Sequence, residues 1–245
     1  MHKMLRHMGK YAWALVLIVA LLVGQAICDL MLPTYTAVIV DVGIQQSGVE
    51  SSVPSIVRQS TFSELLLWMP EADAQKLAEQ SYSAATDEEA RKLGATLTGE
   101  PLLKLNDVYA KTLEALKEPF NIAFMVRGML SGESAIDAGA LLGAPNTGAA
   151  PSPEAAAAAL AAMSAEERAQ MLAALQEKLL SVLPQSTLEQ AAIAAVQSEY
   201  RALGMDLGAL QSRSIWHNGI VMLLIALAGA AAAVTGGFLV AARLG

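Results

Sequence analysis

The sequence predicts an all-α membrane protein: two long transmembrane helices forming a hairpin, with an all-helical extracellular insertion domain between them. Three observations predict it. Tyr11 to Ile44 and Ile215 to Ala242 are long apolar segments at opposite ends of the chain. No charged residue occurs from Tyr11 to Cys28 or from Gly219 to Ala242, so each run meets the roughly 20 apolar residues that a helix needs to cross a bilayer core. Every Asp and Glu lies from Asp29 to Asp206, and all but Asp29 and Asp41 lie between the two segments, so the acidic character behind the formal net charge of -7 resides in the middle of the chain.

Residues 1–10 form a basic N-terminus with Lys3, Arg6 and Lys10. A basic start, an apolar run and then Cys28 also describe a cleaved signal or lipoprotein signal. However, Ile27 stands before the cysteine where a small residue is needed, and apolarity resumes after Asp29 with Leu30, Met31 and Leu32. Residues 11–44 therefore read as a retained transmembrane helix extending outward. Basic residues near a membrane stay on the cytoplasmic side, so the N-terminus is inside, residues 45–213 are extracellular, and residues 214–245 return the chain to the cytoplasm at Arg243. Arg213, just before that second helix, is on the disfavoured side by this rule.

Composition bounds the middle domain. An acidic exposed surface argues against nucleic acid and against docking on anionic lipid. One cysteine, Cys28 in a membrane segment, excludes an internal disulfide and supplies no metal cluster, so packing alone must hold the domain. Thr61 with Glu64, Thr86 with Glu89, Ser164 with Glu167 and Ser186 with Glu189 each have the capping-box spacing. Leu102, Leu105, Val108, Tyr109, Leu113 and Leu116 recur at helical steps after Pro101, and Leu172, Leu175, Leu179 and Val182 do so after Ser164. Extended β-branched alternation is missing, which predicts a nearly all-helical domain without a sheet. Gly139 to Ala162, with Pro145, Pro151 and Pro153 and then an alanine run, reads as a flexible linker about 139–154 that divides the domain, its alanines joining the next helix.

The membrane segments carry the candidate site. Gln25, Asp29 and Thr36 fall at steps of four and seven on one helix face. Two readings of Asp29 stand side by side: it ends the hydrophobic part of the helix at the outer interface, or it belongs to a polar stripe lining a cavity between helices. Pro33 withholds a hydrogen bond from the Asp29 carbonyl, which predicts a kink. Gly229, Ala233, Gly237 and Ala241 follow at four-residue steps, with Ala226 and Ala230 beside them, and small residues in such a register let another helix approach closely. His217 and Asn218 stand at the outer end of the second helix; no second ligand near His217 favours a metal, and an interfacial hydrogen-bonding role is expected.

Two separated segments carry a resemblance. Cys28 to Glu50, CDLMLPTYTAVIVDVGIQQSGVE, resembles the outer half of the first transmembrane helix of type I ABC exporters of the bacterial heterodimeric multidrug group. Glu199 to Gln211, EYRALGMDLGALQ, and the apolar helix ending FLVAARLG at Phe238 to Gly245 resemble the approach to the second helix in members with a large extracellular insertion between helices one and two. The resemblance implies a half-transporter in the bacterial cell membrane, paired with a second half-transporter, that exports small amphipathic substrates. ATP and Mg are implied only for a nucleotide-binding domain that this chain lacks. No GxxxxGK[ST] run is present to wrap phosphates in backbone amides. The tetrapeptide LSGE at Leu130 to Glu133 is similar to part of the family's nucleotide-clasping signature but is extracellular in this topology, and coincidence accounts for it.

The expectation is thus an N-terminal transmembrane fragment of an exporter subunit, ending mid-helix, with no catalytic residue, no metal and no enzymatic activity of its own. Gln25, Asp29 and Thr36 would border the substrate path or a helix contact. The alternative is a self-contained two-span protein that displays a helical binding or sensing domain, with Gly229, Ala233 and Gly237 as an oligomer contact.

Overall fold

The computed structural model describes residues 12–69, 71–96, 99–131, 158 and 162–244. The basic N-terminus, the linker about 139–154, most of the alanine run, and Gly132 and Glu133 of the LSGE tetrapeptide lie outside the described residues. In chain order the elements are α1 (Ala12–Val38), a π-helical stretch (Ile39–Gln45), β1 (Ile56–Arg58), α2 (Gln59–Trp68), α3 (Ala72–Ser81), β2 (Tyr82–Ala84), α4 (Asp87–Lys92), β3 (Leu102–Leu105), α5 (Ala110–Ser131), α6 (Ala165–Val182), α7 (Gln185–Ala202) and α8 (Leu207–Leu244). They fall into two compact units, Met1–Gly48 with Ala209–Gly245, and Val49–Gly208.

The first unit contains two helices long and apolar enough to cross a membrane, over Val16–Gln45 and Leu207–Leu239. Most of their surface is open, including Trp13 and Trp216, which are 79% and 72% exposed. The less exposed positions nevertheless follow a pattern. On α1 they include Ile18, Leu21, Gln25, Cys28, Leu32 and Tyr35, and on α8 Asn218, Met222, Ile225, Gly229, Ala232 and Gly236. Both series alternate steps of three and four, the spacing of one stripe along a helix, and the contacts between the two helices are few. α1 continues as helix through Pro33, and the Thr36 hydroxyl donates to the Leu32 carbonyl at 2.9 Å.

The second unit is built around α5. From Phe120 to Val126 every residue of α5 is buried, so this half is covered on nearly every side and reads as a core helix, whereas the first half buries Leu116 and leaves Lys111, Glu114 and Glu118 exposed, as an amphipathic helix does. Phe62, Tyr82, Phe120 and Phe124 form a chain of tilted rings with centroids 4.7, 6.1 and 6.2 Å apart, spacings in the favourable range for aromatic pairs. The Tyr82 hydroxyl donates to the Pro54 carbonyl at 2.6 Å.

One expectation is corrected here. The domain is mostly helical, but it contains a three-stranded antiparallel sheet in the order β1-β3-β2. Ile56, Val57 and Arg58 pair with Lys104, Leu103 and Leu102, while Tyr82, Ser83 and Ala84 pair with Leu105, Lys104 and Leu103. Leu102 and Leu105 therefore belong to a strand and not to a helix after Pro101, and Tyr109 is 86% exposed instead of facing the core. Asn106 and Asp107 end the strand before α5 begins. Leu172 and Leu179 are buried as their helical spacing requires, whereas Val182 is open.

The four capping-box spacings divide evenly. Thr86 with Glu89 and Ser164 with Glu167 form complete boxes. The other two do not, because their helices start earlier: α2 begins at Gln59, which places Thr61 inside it, and Pro184 takes the N-cap position of α7 ahead of Ser186.

Candidate functional site

Within the first unit, four contacts locate α1 against α8. A Cβ built on Gly229 would stand 3.2 Å from Cys28 Cβ and 3.9 Å from Asp29 Oδ1. The Thr36 hydroxyl lies 3.6 Å from Met222 Sδ. A Cβ on Gly43 would meet Ile215 Cγ1 at 2.8 Å, and one on Gly48 would meet the Leu210 carbonyl at 2.6 Å. Advancing from Cys28 through Thr36 and Gly43 to Gly48 thus retreats from Gly229 through Met222 and Ile215 to Leu210, which is the relation between antiparallel neighbours.

Gln25, Asp29 and Thr36 lie along the edge of this seam. Gln25 is half-buried, and Asp29 and Thr36 are exposed. Of the small residues, Gly229 is buried against Cys28, while Ala233 and Gly237 are exposed and nothing lies within 4 Å of a Cβ built on Gly237. The reason is geometric: each four-residue step advances about 40° beyond a full turn at 3.6 residues per turn, so two steps carry Gly237 off the stripe on which Gly229 sits. Asn218 is buried and donates to the Ser214 carbonyl at 3.0 Å; His217 is exposed. Among the described residues no group of His, Cys, Asp or Glu is arranged to hold a metal ion.

This contact makes a prediction for Gly229. Gly229→Leu forces its side chain into Cys28 and separates the helices, so the reaction of Cys28, the sole thiol, with N-ethylmaleimide accelerates several-fold; Gly237→Leu leaves the rate unchanged. Equal rates in the two variants would show that Gly229 does not seat the seam.

The second unit holds an ion pair that the sequence did not announce. The Arg58 guanidinium clasps Glu199 with two bonds, Nε to Oε1 at 2.9 Å and Nη2 to Oε2 at 2.7 Å, and the Arg58 amide adds a third at 3.1 Å. The Thr61 hydroxyl donates to Oε2 at 3.2 Å. At the next residue of α7, the Tyr200 hydroxyl accepts from the Ser55 amide at 2.8 Å. Glu199 is 2% exposed at its side chain and Arg58 28%. Burial pushes the Glu199 carboxyl up, but the Arg58 and Thr61 hydrogen bonds outweigh it and hold the carboxyl below its ordinary value. The Tyr82 hydroxyl is pushed well above the ordinary tyrosine value by burial.

Glu89 has a second, more open pair with Lys104. The Lys104 ammonium first, then the Thr86 amide and hydroxyl, lower the Glu89 carboxyl to about 2. Because the folded values of Glu89 and Glu199 both lie below the unfolded one, their contribution is complete above the ordinary carboxylate range and is lost as pH falls through the folded values. The stability of this unit is therefore expected to be level near neutrality and to fall from about pH 4.5 towards pH 2. Glu89→Gln flattens the lower part of that decline in an acid titration followed by Trp68 fluorescence.

Comparison of the chain with family models, curated proteins and solved structures finds no match.

Proposed function

We propose that the chain is the opening membrane hairpin of an ATP-driven exporter subunit of the ABC type, with Val49–Gly208 held outside the cell. The observation that supports this reading is the antiparallel stepping of α1 past α8: two spanning helices in that relation would return the chain to the side of the membrane from which it set out. The resemblance of Cys28 to Glu50 and of Glu199 to Gln211 supports the same assignment. In this arrangement α1 and α8 supply one wall of the transmembrane assembly, and a second half-transporter supplies the opposing one. Gln25, Asp29 and Thr36 form a polar edge along that wall. The substrate class is small and amphipathic.

ATP and Mg come from a nucleotide-binding domain and not from these residues. Leu130 and Ser131 of the LSGE tetrapeptide are helical, within α5, and the tetrapeptide lacks the second glycine and the glutamine of the family's signature.

The test uses native membranes and an antibody raised against the exposed face of α6. The immunoprecipitated protein, or a chain held with it, is expected to take photolabel from azido-ATP, and impermeant maleimide is expected to reach a cysteine placed at Ser186 from outside intact cells. A precipitate in which no chain is photolabelled overturns the exporter reading in favour of a displayed binding domain. Reaction of the Ser186→Cys variant only in broken cells reverses the topology.

A further inference from the structure

We propose that Asp29 lies near the middle of the bilayer and is covered there by a further transmembrane helix that brings a lysine or arginine to the same depth; this rests on the reading of α1 and α8 as membrane-spanning.

The depth follows from register. Asp29 lies opposite Gly229, whose Cβ would stand 3.9 Å from its Oδ1. On α8 the flanking basic residues, Arg213 and Arg243, are sixteen and fourteen residues from Gly229. At 1.5 Å per residue these are distances of about 24 and 21 Å. On α1 the flanking charges, Lys10 and Asp41, are nineteen and twelve residues from Asp29 in sequence; the described helix reaches Ala12, about 25 Å from Asp29 on one side, and Asp41 lies about 18 Å away on the other. A hydrocarbon core of roughly 30 Å centred on either run places Asp29 within about 5 Å of its middle. Both helices give the same answer, although neither charge pattern refers to the other.

A charged group at that depth faces protein or water and not lipid. Yet Asp29 is exposed on the α1–α8 pair, with Gln25 and Thr36 on the same side. A second copy of the pair is a poor cover. There is no Lys or Arg between Lys10 and Arg58 or between Arg213 and Arg243, so a second copy brings only another Asp29 to this level, and like charges repel. Lipid tails bring no partner at all. A basic side chain on a different helix is the complement that both satisfies the carboxylate and selects one neighbour over the others.

Dicyclohexylcarbodiimide, an apolar reagent that modifies carboxyl groups within bilayers, separates the outcomes. In vesicles of phosphatidylcholine and phosphatidylglycerol holding this chain alone, mass spectrometry is expected to find Asp29 modified, and Asp29→Asn unmodified at that position. In native membranes the modified fraction is expected to drop by about tenfold or more, because the covering helix and its basic side chain keep the reagent from the carboxyl group. Equal modification in both settings overturns the basic partner. No modification in either setting puts the carboxylate in water and overturns the depth. Alkaline carbonate extraction of the vesicles tests the underlying reading separately: retention of the chain supports a spanning pair, and its release overturns that reading and the proposal together.

Discussion

Arg58→Met is expected to lower the unfolding free energy of the Val49–Gly208 unit by about 3–5 kcal/mol at neutral pH, the range for leaving one partner of a buried ion pair alone. The side chain of Glu199 is 2% exposed and its oxygens are fully engaged by Arg58 and Thr61, so removing the guanidinium strands a carboxylate that water cannot reach. The reciprocal change is milder. With Glu199→Gln the arginine, already 28% exposed, can turn towards solvent, and the loss is about 1–3 kcal/mol. The two variants also differ in their response to acid. In Arg58→Met, burial, the largest single influence on this carboxyl, is opposed only by the residue-58 amide and the Thr61 hydroxyl, so the folded carboxyl is raised relative to the wild type and the deficit shrinks as pH falls. In the wild type the contribution of this carboxyl is lost as pH falls. Urea unfolding of the full chain in micelles checks this through Trp68, which is buried in the unit, after Trp13→Phe and Trp216→Phe silence the others. Equal losses for both variants, or no pH dependence of their difference, would show that Arg58 is not what neutralises Glu199.

Gly48→Ala is the second large effect. Gly48 has φ +80°, and a Cβ there would stand 2.6 Å from both the carbonyl carbon and oxygen of Leu210 and 2.7 Å from the Gln211 amide nitrogen. The left-handed conformation alone costs an alanine about 1–2 kcal/mol. The collision adds to this because the obstacle is backbone and cannot swing aside as a side chain does. We expect a total loss of about 3–4 kcal/mol. Gly94→Ala is the internal control: its φ is +87° but nothing lies within 4 Å, so only the conformational cost of about 1–2 kcal/mol is expected. Mixed-micelle unfolding followed by helicity measures both. A loss for Gly48→Ala no greater than that for Gly94→Ala would remove the close approach of Gly48 to α8.

What could be read in the sequence depended on the length over which each signal was written. The two apolar runs were legible because a charge-free stretch long enough to span a bilayer announces itself without knowledge of any neighbour. The strands were not, since three or four residues are too few to display alternation, and Leu102 and Leu105 fit a helical step as well as a strand. Capping boxes were legible only in part: the Thr61 and Glu64 spacing is correct, but Glu64 pairs with Arg127 at 2.9 Å, a residue on α5 that local spacing cannot supply. For the candidate site, the sequence placed Gln25, Asp29 and Thr36 on one helix face, but their register against α8 needed coordinates. For Glu199 a signal was available. Ala192, Ile193, Val196 and Tyr200 are buried on the same side of α7, and an acid within an apolar stripe points to a buried cation elsewhere in the chain.

The clasp between Arg58 and Glu199 also has a consequence in time. Its partners are 141 residues apart, so at a synthesis rate of about 5–20 residues per second the ribosome takes roughly 7–28 seconds to deliver the second after the first. Throughout that interval β1 waits without its α7 partners, and α1 has no α8 beside it. α8 follows α7 after only the short turn from Leu203 to Asp206, so the domain closes and the second apolar helix emerges almost together. The same stretch of new chain completes both units, which makes the last moments of synthesis of this region the point at which its folding is decided.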